Sequence, residues 1–255
     1  MARYLVTGSS RGIGAHTLRR LVAAGHEVIG LVRPREDSPV ESQRGDGARW
    51  VADLARPEQL QTTLADRIAE LGGEGLDSGI DSGIDGIDGG LDGVVHAAGC
   101  VLPGALSQSA VHEFTEQFTV NVTAVAELTR LLLPALRRRR GTVVLVNSGS
   151  GLNARPPLSS YGASKFALRA YADALRQEES MLRVSTVYPG RTATDMQKVV
   201  REAEGGRYDE SAYLQPETVA GVICSVLWLP ADGVITDVTV RPAGHPGPSS
   251  PDAHH

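Results

Sequence analysis

Thr7-Gly8-Ser9-Ser10-Arg11-Gly12-Ile13-Gly14 is the stretch that decides the fold. A strand-like run, Ala2-Arg3-Tyr4-Leu5-Val6, leads into it, and an amphipathic stretch over 13–24 leads out. Glycines between a strand and a helix let the backbone turn tightly and come close to a diphosphate. The helix N-terminus then offers free N–H groups and a partial positive charge. A glycine trio alone is common; set inside a strand–helix unit it specifies a dinucleotide cradle. The spacing departs from G-x-G-x-x-G, because three residues separate Gly8 from Gly12 and Thr7 precedes them.

Beyond this loop, strand-like and helix-like runs alternate. Strands are predicted at 2–6, 26–32, 49–52, 93–97, 142–147, 182–187 and 234–240. Helices are predicted at 13–24, 57–71, twice within 108–138, and at 159–179 and 216–228. Alternation without hairpin signals predicts a parallel sheet covered on both faces. Seven strands with no linker halfway predict one α/β domain over 1–241, a Rossmann-type doubly wound sheet of seven parallel strands with helices on both faces. Residues 72–93 repeat an apolar-Asp-Gly theme close to a calcium-binding nonapeptide. Gly79 stands where that repeat wants a large apolar residue, and one copy cannot stack. A flexible surface insert and no metal site are expected there. The tail over 242–255, rich in Pro, Gly and Ser, is expected to be disordered, with no role for His254-His255.

The bulk composition narrows the function. A net charge of −5 with no large basic patch argues against nucleic-acid binding. No signal peptide is read at the start, and no apolar run approaches the roughly 18 residues a membrane span needs. A cytoplasmic protein is expected. Cys100 and Cys224 form no disulfide framework and read as two buried thiols. Arg137–Arg140 close a long helix, where cations complement the helix dipole.

The second strand runs Val28-Ile29-Gly30-Leu31-Val32-Arg33. A site selective for NAD places a carboxylate about 20 residues after the loop to hold the adenosine ribose. Val32 and Arg33 supply none, and Arg33 with Arg11 can reach a 2′-phosphate instead. NADP(H) is therefore expected over NAD(H). Asp53, in Val51-Ala52-Asp53-Leu54, closes the third strand, where it can accept from the adenine amino group or cap the helix that begins near Pro57.

The chemistry is read from Ser160-Tyr161-Gly162-Ala163-Ser164-Lys165. Spacing of four puts Tyr161 and Lys165 on one helix face. The chain has 23 arginines and only two lysines, so a Lys here points to a requirement. An ammonium is a compact charge that can stabilise a phenolate, unlike the planar fork of Arg. A cation close to the phenol is expected to lower its pKa from about 10 and make Tyr161 a general acid/base. Ser148 lies thirteen residues upstream.

Together these features resemble the short-chain dehydrogenase/reductase family, in its short single-domain branch, from residue 4 to about 195. Thr7-Gly8…Gly12-Ile13-Gly14 matches T-G-x-x-x-G-x-G, and His96-Ala97-Ala98-Gly99 matches N-[NA]-A-G with His96 in place of the commoner Asn. Asn121 matches the helix Asn, Ser148 the catalytic Ser, Tyr161…Lys165 the Y-x-x-x-K, and Pro189-Gly190…Thr194 the P-G-x-x-x-T beside the nicotinamide. The resemblance implies that Tyr161 exchanges a proton with a carbonyl or alcohol oxygen while Ser148 bonds the same oxygen. It implies that Lys165 lowers the Tyr161 pKa and holds the nicotinamide ribose, and that Asn121 fixes a relay water. Cofactor contacts are implied for Gly8, Ser10, Arg11, Gly12, Ile13 and Gly14, for Arg33, Asp53 and Leu54, and for Ala97, Ala98, Gly99 and Asn121. Tyr161, Lys165, Pro189, Gly190, Thr192 and Thr194 complete that set.

Substrate contacts are expected from Ser148, Ser150, Tyr161 and Tyr188, with Leu152, Asn153, Cys100 and Leu102 nearby and 191–214 as a mobile lid. The last strand lacks the glycine-rich ending common in this branch, so a homodimer through the helices at 108–138 and 159–179 is expected, with a homotetramer as the alternative. The implied function is NADP(H)-dependent interconversion of a carbonyl and an alcohol. The alternatives are a catalytically idle NADP(H)-binding regulatory protein, and a lyase or epimerase of the larger relatives. Intact Ser148, Tyr161 and Lys165 speak against the first, and the lack of a C-terminal substrate domain against the second.

Overall fold

The computed structural model describes residues 1–34, 48–72 and 89–243. Most of the Gly/Asp-rich insert and nearly all of the predicted tail lie outside the described residues. Seven parallel strands form one sheet in the order β3-β2-β1-β4-β5-β6-β7. They are β1 (Arg3–Thr7), β2 (Glu27–Val32), β3 (Ala48–Val51), β4 (Gly93–His96), β5 (Thr142–Val146), β6 (Arg183–Pro189) and β7 (Asp237–Val240). The helices are α1 (Gly12–Ala23), α2 (Leu60–Glu70), α3 (Val111–Phe118), α4 (Ala124–Arg139), α5 (Ser159–Glu178), α6 (Asp195–Ala203) and α7 (Pro216–Leu227).

The inner strands are buried on both faces, as an all-parallel sheet requires. All five residues of β5 are buried. One core lies under α2, α4 and α5, where Leu5, Val94 and Leu145 meet Leu64, Leu128 and Leu168. The other lies under α1 and α7, where Val6, Val95 and Val144 meet Leu21, Val219 and Ile223. The chain walks outwards from β1 to β3 and then returns to place β4 against the other side of β1, in register Tyr4↔Gly93. That reversal opens a crevice at the C-terminal strand ends, where such sheets bind ligands.

Two elements differ from their predicted form. The last strand is only Asp237–Val240, because Val234 is exposed and Ile235 is only partly buried, packed against the second core. The two helices within 108–138 are joined by a π-type turn over Thr119–Thr123, which carries Asn121. The combined helical run, Val111–Arg139, has the length and hydropathy of a membrane span. Its apolar side is turned to the sheet instead, with Leu128, Leu132 and Leu136 fully buried. Of the two cysteines, Cys224 is buried and Cys100 only half-buried.

Candidate active site

A cleft of about 1280 Å³ runs over the C-terminal ends of the strands. Its floor at one end is the glycine loop. Gly8 has φ +65°, and a Cβ there would sit 2.8 Å from Ala98 Cα. Gly14 does not line the cleft; a Cβ there would sit 2.4 Å from the Gly8 carbonyl oxygen, so this glycine serves the fold of the loop. Thr7 ties the loop to the neighbouring strand end, its Oγ1 accepting the N–H of Ala97 at 3.1 Å and of Ala98 at 3.0 Å. A side chain at Gly8 would collide with the Ala97–Ala98 backbone, so the glycine lets the loop close against the end of β4, and the cradle it forms ahead of α1 fits a dinucleotide.

Ser10, Arg11, Gly12, Ile13, Leu54, Ala97, Ala98 and Gly99 line this cleft, as do Pro189, Gly190, Thr192 and Thr194. Thr194 caps α6, its Oγ1 accepting the Gln197 N–H at 3.4 Å. Arg33 lines the cleft, with its Nε 4.0 Å from Asp53 Oδ1. Arg11 reaches instead to Asp195 at the start of α6, at 3.2 Å. Asp53 lies just off the cleft; it caps no helix, and its Oδ1 accepts the Ala55 N–H at 3.0 Å. A third arginine was not legible from the motifs. Arg49, opposite Gly30 in the β2–β3 register, lines the cleft, and its Nε is buried without a partner among the described residues. An orphaned buried donor on a cleft wall is a place for an anionic ligand group.

The other end of the cleft holds Ser148, Tyr161 and Lys165. Ser148 follows β5, and its Oγ accepts the Ser150 N–H at 3.1 Å. The Ser148 hydroxyl faces the Tyr161 phenol and favours its ionised form. Lys165 is one turn along α5; its Nζ lies 5.8 Å from the Tyr161 ring centroid and donates to the Val146 carbonyl at 3.1 Å. Asn147, also missed by motif reading, locks both partners. Its Oδ1 accepts the Ser148 N–H at 2.8 Å and its Nδ2 donates to the Lys165 carbonyl at 3.0 Å.

The electrostatics run opposite to the expectation of a lowered phenol. Burial pushes the Tyr161 phenol up to about 12, the nearby Ser148 hydroxyl pulling the other way. Burial also lowers Lys165 to about 8. Removing both groups from water penalises each charged form, and that penalty sets the direction of both shifts. Near neutral pH Tyr161 therefore holds its proton, the state a general acid needs.

Several expected contacts fall elsewhere. Tyr188 is buried on β6 away from the cleft, its hydroxyl raised to about 12 by burial and by the nearby Asp237 carboxylate. Asn121 is fully buried behind Gly99 and does not line the cleft. Both its amide protons are taken, by the Cys100 carbonyl and Ser164 Oγ, each at 3.0 Å, and its Oδ1 accepts the Cys100 N–H at 3.0 Å. One lone pair of Oδ1 is left for a further donor. Cys100, Leu102 and Leu152 also stay off the wall, which Val101, Ser150, Asn153 and Leu158 supply. The 191–214 segment folds over the cleft: Val200 of α6 packs with Leu158 and Tyr161, and Thr192 bridges to Leu214. Several of its charges pair internally, Glu204 taking Arg191 at 2.7 Å and Arg201 at 2.5 Å.

A glycine cradle at the sheet's switch point, sharing its cleft with a buried Ser–Tyr–Lys cluster, is the layout of a dinucleotide-dependent oxidoreductase. Residues 3–205 match the family model described as short chain dehydrogenase, and the chain belongs to that family. It is 30% identical to an uncharacterized short-chain type dehydrogenase/reductase, y4eK, of Sinorhizobium fredii, over 96% of this chain and 94% of that one. It is 29% identical to dehydrogenase/reductase SDR family member 11 of Bos taurus, over 93% and 94%. Among solved structures, a putative short chain dehydrogenase from Shigella flexneri complexed with NADP superposes with a TM-score of 0.75 at 26% identity, covering 93% of this chain and 95% of that one.

Proposed function

We propose that the protein is an NADP(H)-dependent oxidoreductase that interconverts a carbonyl and a primary or secondary alcohol. The observation that carries this reading is the gathering of Ser148, Tyr161 and Lys165, the ammonium 5.8 Å from the phenol ring, in one cleft with the glycine cradle. Tyr161 gives its proton to the carbonyl oxygen in reduction and takes it back in oxidation. Ser148 donates to the same oxygen and holds it within reach of the phenol. General acid catalysis of this kind is worth about 10²–10⁴ in rate. Lys165, three-donor and buried, would hold the ribose next to the nicotinamide, and Thr192 and Thr194 its amide. The nicotinamide, when bound, supplies the hydride. Asn147 fixes Ser148 and the Lys165 backbone, and Asn121 holds the Cys100 segment behind them.

Three arginines at the other end, Arg11, Arg33 and Arg49, favour a 2′-phosphate and so NADP(H) over NAD(H). A catalytically idle cofactor-binding regulator would have no use for a phenol held protonated beside a second donor. The substrate is a small carbonyl or alcohol compound in a cytoplasmic setting, and the protein acts as a homodimer or homotetramer. Exposed Val111 on α3 and Phe166 on α5 support an interface through those helices. The test is NADPH oxidation against aldehydes, ketones, quinones and 3-oxoacyl thioesters. Absence of turnover on every class, with NADPH bound, would favour the idle regulator.

A further inference from the structure

We infer that Gln117, which matches none of the family motifs, is a positioning residue for Tyr161, acting through Ser160 and the segment after β4. The inference rests on the acid/base reading of Tyr161 above. Gln117 is fully buried in α3. Its Oε1 accepts the Leu102 N–H at 3.1 Å. Its Nε2 donates to Ser160 Oγ at 2.6 Å and to the Glu113 carbonyl at 3.1 Å, with the Leu102 carbonyl at 3.4 Å. The reversed amide would set Oε1 against two carbonyls, so the bonding pattern fixes its orientation.

Asn121, four residues on, repeats the arrangement. It takes the N–H and C=O of Cys100 and donates to Ser164. Two side-chain amides thus hold alternate residues of the 100–102 segment, much as a neighbouring strand would. The same amides fasten that segment to Ser160 and Ser164 on successive turns of α5. Ser160 directly precedes Tyr161, and Ser164 directly precedes Lys165. The two rungs therefore set the rotation of α5 about its axis at the turn that carries the phenol. A side chain extends about 6 Å from a helix axis, so a rotation of about 10° moves its tip by about 1 Å. A displacement of that size at a reacting group can cost about 10²-fold in rate.

The test uses the full chain with NADPH and the best substrate from the screen. Gln117→Leu keeps the volume and removes the bonds; Ser160→Ala removes one bond only. We expect Gln117→Leu to lower kcat by about tenfold or more while the NADPH dissociation constant, read by fluorescence, stays within about twofold, since Gln117 is off the cleft. The Leu102 amide should exchange with deuterium faster, and the Cys100 amide should stay protected. Ser160→Ala should lose kcat less, and the double variant should be no worse than Gln117→Leu. Ring-labelled NMR titration supplies a readout that needs no turnover, with Tyr161 identified by its loss in Tyr161→Phe. In Gln117→Leu its phenol should titrate closer to the ordinary value of about 10. If Gln117→Leu does not fold, Ser160→Ala alone decides, through kcat and the phenol titration. Wild-type kcat and titration in the folded variants, or strictly additive losses, overturn the inference. Wild-type turnover in Tyr161→Phe overturns the acid/base reading instead.

Discussion

Arg33→Ala is expected to weaken NADPH about tenfold and to leave NADH within about twofold. Arg33 follows β2, lines the cleft and stands 4.0 Å from Asp53, a distance too long to hold it firmly. Its side chain is 68% exposed. A hydrogen bond to a charged group contributes about 1.5–3 kcal/mol, and exposure of this degree places the contact at the low end. At about 1.4 kcal/mol per tenfold, 1.5 kcal/mol gives the stated factor. Val32, the last residue of β2, lines the same wall. Adding Val32→Asp to Arg33→Ala places a carboxylate where ribose hydroxyls would lie, and the preference should reverse. Both cofactors are titrated by fluorescence at low salt and again at high salt, where discrimination should shrink as screening grows. Equal wild-type affinities for NADH and NADPH, or an equal loss of both in Arg33→Ala, would refute the assignment of this end to a 2′-phosphate.

Three shorter predictions follow from the same geometry. Tyr161→Phe should lower turnover by about 10²-fold or more with NADPH binding retained, since only the proton donor is removed; steady-state kinetics beside a fluorescence titration check it. Gly14→Ala, whose Cβ would meet the Gly8 carbonyl oxygen at 2.4 Å, should destabilise by about 1–3 kcal/mol; an unchanged melting temperature contradicts this. His96 is buried, with Nε2 3.0 Å from Thr129 Oγ1, and burial lowers it to about 3. The unfolded chain takes up that proton near the ordinary 6.5 and the folded chain does not, so stability is full above about 6.5 and falls with pH down to about 3. Between pH 6.5 and 5 the loss is at most roughly 2 kcal/mol, and His96→Asn should show a smaller fall in melting temperature over that range than the wild type.

The fold was legible because its signals are local and repeated. Apolar runs too short for helices, such as Thr142–Val146, alternate with amphipathic stretches, and that alternation leaves a covered parallel sheet as the economical packing. Edges were less legible: Val234 and Ile235 read as strand, yet Val234 is exposed beside the last strand and pairing begins only at Asp237. Tyr188 was misplaced for a related reason. Side chains alternate across a strand, and its neighbours Val187 and Pro189 face the other way, Pro189 onto the cleft. Nothing in the local sequence says which face of β6 meets the ligand.

The site divides along the same line. Residues that touch the cleft carry rare chemistry at fixed spacing, and Ser148, Tyr161 and Lys165 are found together where that spacing put them. The direction of the phenol's shift was not legible, because it follows from burial rather than from the neighbouring cation. The roles of the polar residues that brace the cleft were not legible for a different reason. Thr7, Asn147 and Gln117 are of common types, and each acts through groups that the fold brings from distant segments: Thr7 to Ala97, Asn147 to Lys165, Gln117 to Leu102 and Ser160. A buried amide must find partners, since an unmet one costs about 1–3 kcal/mol. Where loops are anchored by such amides, the partners are set by topology and not by adjacency in sequence. That is why the chemistry of this cleft can be read from its motifs, while the precision with which the chemistry is held becomes visible only in three dimensions.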